Sequence, residues 1–451
     1  MSLDEVIVKR NQGVNTTTEK VEYSETGVKV IRANNISTGI VDYSNCVYVA
    51  EKTFERIKDA CKPQKGDILY TNIGSQLGNA ALVNTDENFV IAWNVLRLQP
   101  SNKINADFLV YLLNNPSNKK MIQSLNSSST MPFVSGGEIG KVEFSFPDLN
   151  KQAEIAKILK SLDDKIHLNN QINQTLESIA QAIFKSWFID FDPVRAKIAA
   201  KQEGKDSELA AMCIISGKSE DEIQQMPEGD FAELQATAAL FPEEFVESEL
   251  GEVPKGWEVS TVGEQVQAVG GGTPSTKNAD FWDNGIHYWT TPKDLSNLTD
   301  KILLNTERKL TDTGLKKISS GLLPKNTVLM SSRAPVGYLA LAKIEVAINQ
   351  GYIAILPNTK YSAEYLIQWC EANMAEIKGR ATGTTFLEIS KKNFREINFI
   401  CSDEKVVTVY TKTAKTLYDE ISLKAEENQS LINLRDTLLP KLLSGELEVL
   451  T

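Results

Sequence analysis

Gly217-Lys218-Ser219 has the ending of a phosphate-binding loop, but the glycine such a loop needs five residues before Gly217 is Met212. The surrounding segment is also acidic, which opposes phosphate. Gly270-Gly271-Gly272 lacks the G-x-G-x-x-G spacing of dinucleotide binding and suits a turn or a close backbone approach. Asn115-Pro116 is followed by Ser117, so the Asn/Asp-Pro-Pro-aromatic pocket of amino-group methyltransferases is missing. His167 and His287 belong to no visible Ser/His/Asp or Cys/His arrangement. Cys46, Cys61, Cys213, Cys370 and Cys401 lie far apart with no C-x-x-C, and no Asp, Glu and His cluster has metal-ligand spacing. No catalytic residue, metal ligand or bound cofactor is therefore expected. What remains is recognition.

The elements that would present recognising residues occur twice, at an offset of roughly 255 residues, too long for a solenoid repeat and suited to a duplicated domain. Lys65-Gly-Asp-Ile-Leu69 precedes Gly78-Asn-Ala-Ala-Leu82, as Lys325-Asn-Thr-Val-Leu329 precedes Gly337-Tyr-Leu-Ala-Leu341. Leu98-Gln-Pro100 then matches Ile355-Leu-Pro357. Phe133-Val134 before Glu143-Phe-Ser-Phe146 matches Phe386-Leu387 before Glu396-Ile-Asn-Phe399, and Asn173-Gln-Thr-Leu176 matches Asn428-Gln-Ser-Leu431. The common order carries more weight than any single match.

Each copy opens with a domain that mixes short strands (Ile68–Tyr70, Ala80–Val83, Val328–Met330, Tyr352–Leu356) with helical stretches (Ala106–Asn114, Ala363–Ile377), an α+β pattern. A long helix follows. Ile155, Leu162, Asn169, Leu176 and Ile183 recur every seven residues, with Ile158, Ile166, Ile172 and Ile179 between them, an a/d-type stripe. The second copy repeats it with Leu417, Leu431 and Leu438 in one seam and Ile421, Asn428 and Leu442 in the other. Asn173 and Asn428 are the polar seam residues that fix pairing register. The two helices are expected to pair as an antiparallel coiled coil. The expected division is a recognition domain over 1–150, a central helix over 151–200, a connector over 201–249, a second recognition domain over 250–402 and a distal helix over 403–451.

The net charge of −11 is unusual for a nucleic-acid binder. Residues 201–250 hold 13 Asp and Glu against three Lys, so the other residues sum to about −1 and are free to carry local basic faces. The acidic run reads as a solvated face. No stretch approaches ~18 consecutive apolar residues, so no membrane span is expected. The opening MSLDEVIVKR has no apolar signal region, and the scattered cysteines fit a reducing cytoplasm.

Several stretches resemble the specificity subunits of type I restriction-modification systems. Leu240-Phe-Pro242, Leu250-Gly-Glu-Val-Pro-Lys-Gly-Trp257, Gly271-Gly-Thr-Pro-Ser275, Phe281-Trp282 and Tyr288-Trp-Thr-Thr-Pro-Lys-Asp294 resemble the start of a target recognition domain. Phe184-Lys-Ser-Trp-Phe188 with Phe191-Asp-Pro193 is similar to the end of that family's central helix, and Leu438-Leu-Pro-Lys-Leu-Leu-Ser-Gly-Glu-Leu447 to its distal one. The resemblance covers essentially the whole chain, although the first domain lacks the Pro-x-Gly-Trp opening. It implies a non-catalytic, cytoplasmic chain whose two domains each read half of a split, asymmetric site in double-stranded DNA. It implies as partners two methyltransferase subunits, which carry S-adenosylmethionine and methylate adenine, and a restriction-translocase subunit.

Phosphates are held by Lys, Arg and small polar donors, and base edges by Arg, Lys, Asn and Gln with bidentate reach. By that criterion the readers expected in the first copy are Arg32, Asn34, Asn35, Asn72, Gln76 and Asn94, with the polar loop Ser128, Ser129 and Thr130. In the second they are Thr273, Ser275, Lys293, Ser332, Arg333, Asn349 and Gln350, with Thr384 and Thr385 for phosphate. Trp282, Tyr288 and Trp289 are assigned to the core and Trp257 to a packing anchor. Trp187 and Phe188 either close the helix pair or face a partner. The rival reading is a coiled-coil adaptor that does not read DNA; it requires domains without a basic face.

Overall fold

A computed structural model of the chain describes residues 1–19, 21–126, 128, 130–296, 298–383 and 387–448. It divides into two units, Met1–Ile166 with Ser430–Thr451, and His167–Gln429. Among the described residues no helix is long and apolar enough to cross a membrane.

In the first unit the strands of the two larger sheets are β1 (Ile7–Gln12), β2 (Val28–Ile31), β3 (Val47–Val49), β4 (Ile68–Thr71), β5 (Ala80–Leu82), β6 (Phe89–Ile91) and β7 (Val95–Pro100). One antiparallel sheet has the order β1-β7-β4-β5, and a smaller sheet has the order β3-β2-β6 with β2 and β6 parallel. Strand β4 is buried along its whole length, which is why its residues read as a continuous apolar run. Helix Ala106–Asn114 is N-capped by Asn105, whose side chain accepts the Phe108 N–H at 2.9 Å, and it buries Phe108, Leu109 and Leu113.

The second unit repeats this plan with β8 (Gln267–Val269), β9 (His287–Thr290), β10 (Ile302–Leu303), β11 (Arg308–Leu310), β12 (Thr327–Ser331), β13 (Leu339–Ala342), β14 (Val346–Ile348) and β15 (Tyr352–Leu356). Its two larger sheets have the orders β8-β15-β12-β13-β10 and β11-β9-β14, again with one parallel pair, β9 and β14, in the smaller of them. The duplication extends to single hydrogen bonds. The Ala92 N–H donates to Ile31 O at 2.9 Å, and the Asn349 N–H donates to Thr290 O at 3.1 Å.

The central helix runs Leu149–Phe188 and the distal helix Glu404–Ser444. The helix expected to continue to residue 200 stops at Phe188. Phe191 adopts a left-handed φ of 55°, and Pro193, which lacks an N–H, sits in the first turn of a separate helix, Asp192–Gln202. Within each unit the long helices run antiparallel. In the first, Ile155, Ala156 and Leu159 share a core with Leu439 and Leu442, and Arg435 reaches Asp163 at 2.8 Å. In the second, Asn169 donates to Asn428 at 2.9 Å, Asn173 to Ile421 O at 3.2 Å, and Ala180 lies against Tyr410.

The seam differs from the one expected. Ile155, Asn173, Ile421 and Asn428 are buried, whereas Leu162, Ile166, Leu176, Leu417, Leu431 and Leu438 are only half-buried and Ile179 is exposed. Asn169, expected in the stripe, is buried too, and the positions that fill the rest of the seam include Leu159, Tyr410, Ala414, Tyr418 and Ala425. A strict seven-residue stripe drifts around a straight helix of 3.6 residues per turn, so residues spaced three, four and eleven apart take over.

The end of the central helix also packs on the second domain. Phe184, Phe188, Tyr365 and Tyr410 form an aromatic cluster with ring centroids 5.0–5.9 Å apart, edge to face apart from the tilted Phe184–Phe188 pair. Trp187 and Phe188 are buried in it with Phe241 and Trp257, so both close the end of the helix pair. The acidic connector folds into helices Ser207–Ser216, Glu220–Gln224 and Glu228–Ala239 around Ala211, Met212, Ile223 and Ala238.

A polar network joins the central helix to the second domain. Lys301 bridges Glu177 and Glu371 at 2.9 Å each, Gln368 joins Glu177 to the Tyr418 hydroxyl, and Asn173 donates to Asp300 at 3.3 Å. Desolvation, with Glu177 nearby, raises the Asp300 carboxyl above its ordinary range, while the Asn173 Oδ1 is buried without a donor. The folded state therefore binds the Asp300 proton more tightly than the unfolded chain does, and its stability falls as pH rises from the unfolded carboxyl value through the raised one. Asp300→Asn removes the desolvated charge and keeps one oxygen to accept the Ile302 N–H. It should raise the melting temperature at pH 7 by about 2–4 °C, about 1 kcal/mol, with the gain shrinking toward pH 4. Calorimetry across that pH range checks this; a lowered midpoint at pH 7 contradicts it.

Candidate nucleic-acid interface

In each domain the expected readers lie mainly in loops at the strand ends, and a close backbone approach brings those loops together. A Cβ on Gly13 would fall 2.2 Å from Ala92 O, and one on Gly271 would fall 1.9 Å from Ile348 O. Only glycine lets the segment after β1 or β8 lie against the end of β6 or β14. In the second domain the Trp289 indole donates to Gly272 O at 3.1 Å and the Trp282 indole to Ser275 O at 3.0 Å. The loop carrying Thr273 and Ser275 is thereby pinned, and the Thr273 hydroxyl donates to the Gln350 Oε1 at 2.6 Å.

The turn after the parallel strand is also duplicated. The Asn35 Oδ1 accepts the Arg32 N–H at 3.0 Å, and the Asp294 Oδ2 accepts the Thr291 N–H at 2.7 Å. Asn34 and Lys293 thus occupy equivalent, exposed positions. Trp93 and Gln350, each two residues beyond β6 or β14, do the same. Behind them Asn94 accepts the Ala33 N–H at 3.3 Å, and Asn349 accepts the Gly351 N–H at 2.8 Å.

Three of the expected readers face inward instead. Asn35 is 2% exposed and donates to Asn45 O at 2.9 Å, so both ends of its amide are committed to the turn. Asn72 is fully buried, paired with Gln12 at 3.1 Å and with Val134 O at 3.2 Å. Ser332 is 3% exposed; its N–H donates to Gly351 O at 2.8 Å and its carbonyl accepts from Ile389 at 3.0 Å. Buried amides and hydroxyls at strand ends satisfy local backbone.

Arg32 is half-buried, with its Nε buried and unpartnered. Gln76 is exposed and accepts from Asn79 at 2.8 Å. Ser128 exchanges backbone bonds with the Asn126 side chain at 2.9 and 3.1 Å, and Thr130 is exposed beside it. Ser275 is exposed, and Arg333 is half-buried 3.7 Å from Glu388. Lys293 pairs with Glu307 at 2.9 Å; that hydrogen bond raises the ammonium pKa, so it stays charged. Ser129, Thr384 and Thr385 lie outside the described residues.

Two residues beside these loops escaped sequence reasoning. Trp93 is an exposed indole at the end of β6, whose carbonyl accepts from Gln12. Arg308 sits on the Trp282 face beside the Lys293–Glu307 pair. An exposed tryptophan is invisible until burial is known, and Arg308 lies in a strand with no motif around it. The loop clusters carry Arg32, Lys293, Arg308 and Arg333, whereas the acidic helices lie elsewhere in the chain. Among the described residues no group of three His, Cys, Asp or Glu could hold a metal ion.

The family described as type I restriction modification DNA specificity domain matches residues 1–178 and 254–431. The type I restriction enzyme HindI specificity subunit of Haemophilus influenzae is 34% identical over 403 residues, covering 85% of this chain and 87% of that one. The MjaIX specificity subunit of Methanocaldococcus jannaschii is 37% identical over 156 residues, 34% of this chain and 36% of that protein. The crystal structure of a type I restriction-modification S subunit from M. genitalium superimposes with a TM-score of 0.51 at 16% identity, over 100% of this chain and 96% of that one, a likeness of fold.

The pinned loop generates a prediction. Gly271→Ala must displace backbone and should cost about 1–3 kcal/mol, whereas Gly272→Ala, with nothing within 4 Å of its added Cβ, should be tolerated. Thermal denaturation of the two variants checks this; equal midpoints contradict the close approach.

Proposed function

The chain belongs to the type I restriction-modification DNA specificity family, and from that premise we propose that it reads DNA sequence for a restriction-modification complex and leaves bond making to its partners. The observation that carries this reading is the duplicated loop cluster with unlike side chains. Asn34 and Trp93 in the first domain stand where Lys293 and Gln350 stand in the second. Equivalent scaffolds with different readers suit a target made of two unlike halves. The readers assigned to the first half-site are Arg32, Asn34, Gln76 and Asn94, and those assigned to the second are Thr273, Ser275, Lys293, Arg333, Asn349 and Gln350. Ser128, Ser129, Thr130, Thr384 and Thr385 are assigned to phosphate.

Specificity subunits of this family are non-catalytic, and the work is divided accordingly. Two methyltransferase subunits dock on the chain, hold S-adenosylmethionine, and methylate adenine; a restriction-translocase subunit completes the complex. Methylating a base requires turning it out of the duplex into a pocket. That pocket belongs to the partner, while this chain holds the duplex in register. It needs no cofactor of its own.

Modified-base mapping in cells that co-express the chain and its methyltransferase partner tests the proposal. N6-methyladenine on both strands of one split motif, present only with this chain, is the expected result. A stable complex that leaves no new methylation contradicts it.

A further inference from the structure

We propose that Arg308 is a phosphate clamp of the second domain, a guanidinium held flat on Trp282 that takes up one DNA backbone phosphate beside the Thr273 and Gln350 loops. This rests on the DNA-reading function above and adds a contact that the sequence did not suggest.

The guanidinium carbon lies 3.5 Å from the Trp282 ring centroid and 5.6 Å from that of Trp289. The two indoles meet edge to face, 5.0 Å apart at 80°. Both indole N–H groups are spent on the recognition loop, on Ser275 O and Gly272 O, so the arginine and the loop share one rigid support. Stacking engages the face of a guanidinium and leaves its five in-plane N–H groups available to an acceptor. Among the described residues none of them meets a carboxylate or any other acceptor. The other basic candidates of this cluster are already paired, Lys293 with Glu307 at 2.9 Å and Arg333 with Glu388 at 3.7 Å. Arg308 is thus a half-buried cation, fixed in orientation, with an unfilled donor edge. A tetrahedral oxyanion accepting two parallel N–H bonds is the ligand that geometry fits.

Position supports the assignment. Arg308 opens β11 directly after Glu307, whose N–H donates to Asp294 at 2.9 Å, so it abuts the turn that presents Lys293. The first domain has no such device, since β3 holds Val47 at the equivalent place in its pairing with β2. The clamp is therefore a property of one half of the molecule, and its loss should weaken binding without regard to which bases are present.

The test uses the full chain with its methyltransferase partner, binding duplexes that carry the mapped target or a scrambled one over a range of salt. Arg308→Gln keeps a planar group on Trp282 but removes the charge. It should weaken binding to both duplexes by about ten-fold and lower the slope of log K against log salt by about 0.9, one phosphate of B-DNA. Arg308→Lys should keep the slope. Lys309→Gln removes the same charge from the neighbouring residue, which lies over Tyr288 at 4.5 Å, and should leave affinity and slope unchanged. An unchanged slope in a folded Arg308→Gln complex reduces Arg308 to packing and overturns the proposal. Loss of discrimination at particular bases with an unchanged slope makes it a base reader and overturns it equally. If Arg308→Gln fails to assemble, Arg308→Met, which keeps an apolar chain on Trp282 without the charge, takes its place: a slope lowered by about 0.9 supports the clamp and an unchanged slope rejects it. Wild-type complex that binds neither duplex rejects the DNA-reading function itself.

Discussion

The close approach of one backbone to another, Gly13 to Ala92 and Gly271 to Ile348, is the constraint on which the recognition surface rests. Side chains that read a base edge must be placed to within a fraction of an ångström, and loops reach that precision only when something rigid holds them. Here the strand end supplies a carbonyl wall, the absent Cβ lets the next segment lie against it, and two indole N–H bonds close the second copy's loop. Thr273 and Gln350, 77 residues apart in sequence, meet because of that contact. Buried asparagines and serines behind the loops fasten the frame from inside.

The frame needs a support of its own, and the long helices provide it by packing on both a helix and a domain. Phe184 exemplifies this, touching Tyr410 of the distal helix and Tyr365 of the second domain. Aromatic rings fill such three-way junctions because one side chain can present an edge to one neighbour and a face to another. The asparagines of the seam act differently. A buried amide contributes little net stability, but any register other than Asn169 opposite Asn428 strands it without a partner. Sequence specificity and pairing specificity thus follow one rule: buried polar groups punish the wrong arrangement more than they reward the right one.

Much of this was legible in the sequence, for reasons that differ by feature. The duplication showed because strand pairs and turns recur in order, and the helix Ala106–Asn114 showed because its cap and apolar spacing are local. The seam was half legible. Ile155 and Asn169 followed the seven-residue rule, but the register drifted onto Leu159 and Tyr410, set by packing partners no periodicity reveals. Among the expected readers, residue type alone could not separate Asn34, which is exposed, from Asn35, whose amide closes the turn. The two are neighbours with the same chemistry, and only the fold says which one turns inward. Arg308 was invisible for the opposite reason: its role comes from Trp282, 26 positions away, and not from its own surroundings in the chain.

The central claim is that two like frames carry unlike readers, each responsible for half of one DNA target. The measurement that tests it most directly is replacement of residues 250–402 by the corresponding domain of a relative with a different target, followed by base-modification mapping of the hybrid complex. The account predicts a methylated motif in which one half is unchanged and the other is the donor's. A hybrid that folds and assembles yet changes both halves, or neither, would contradict it.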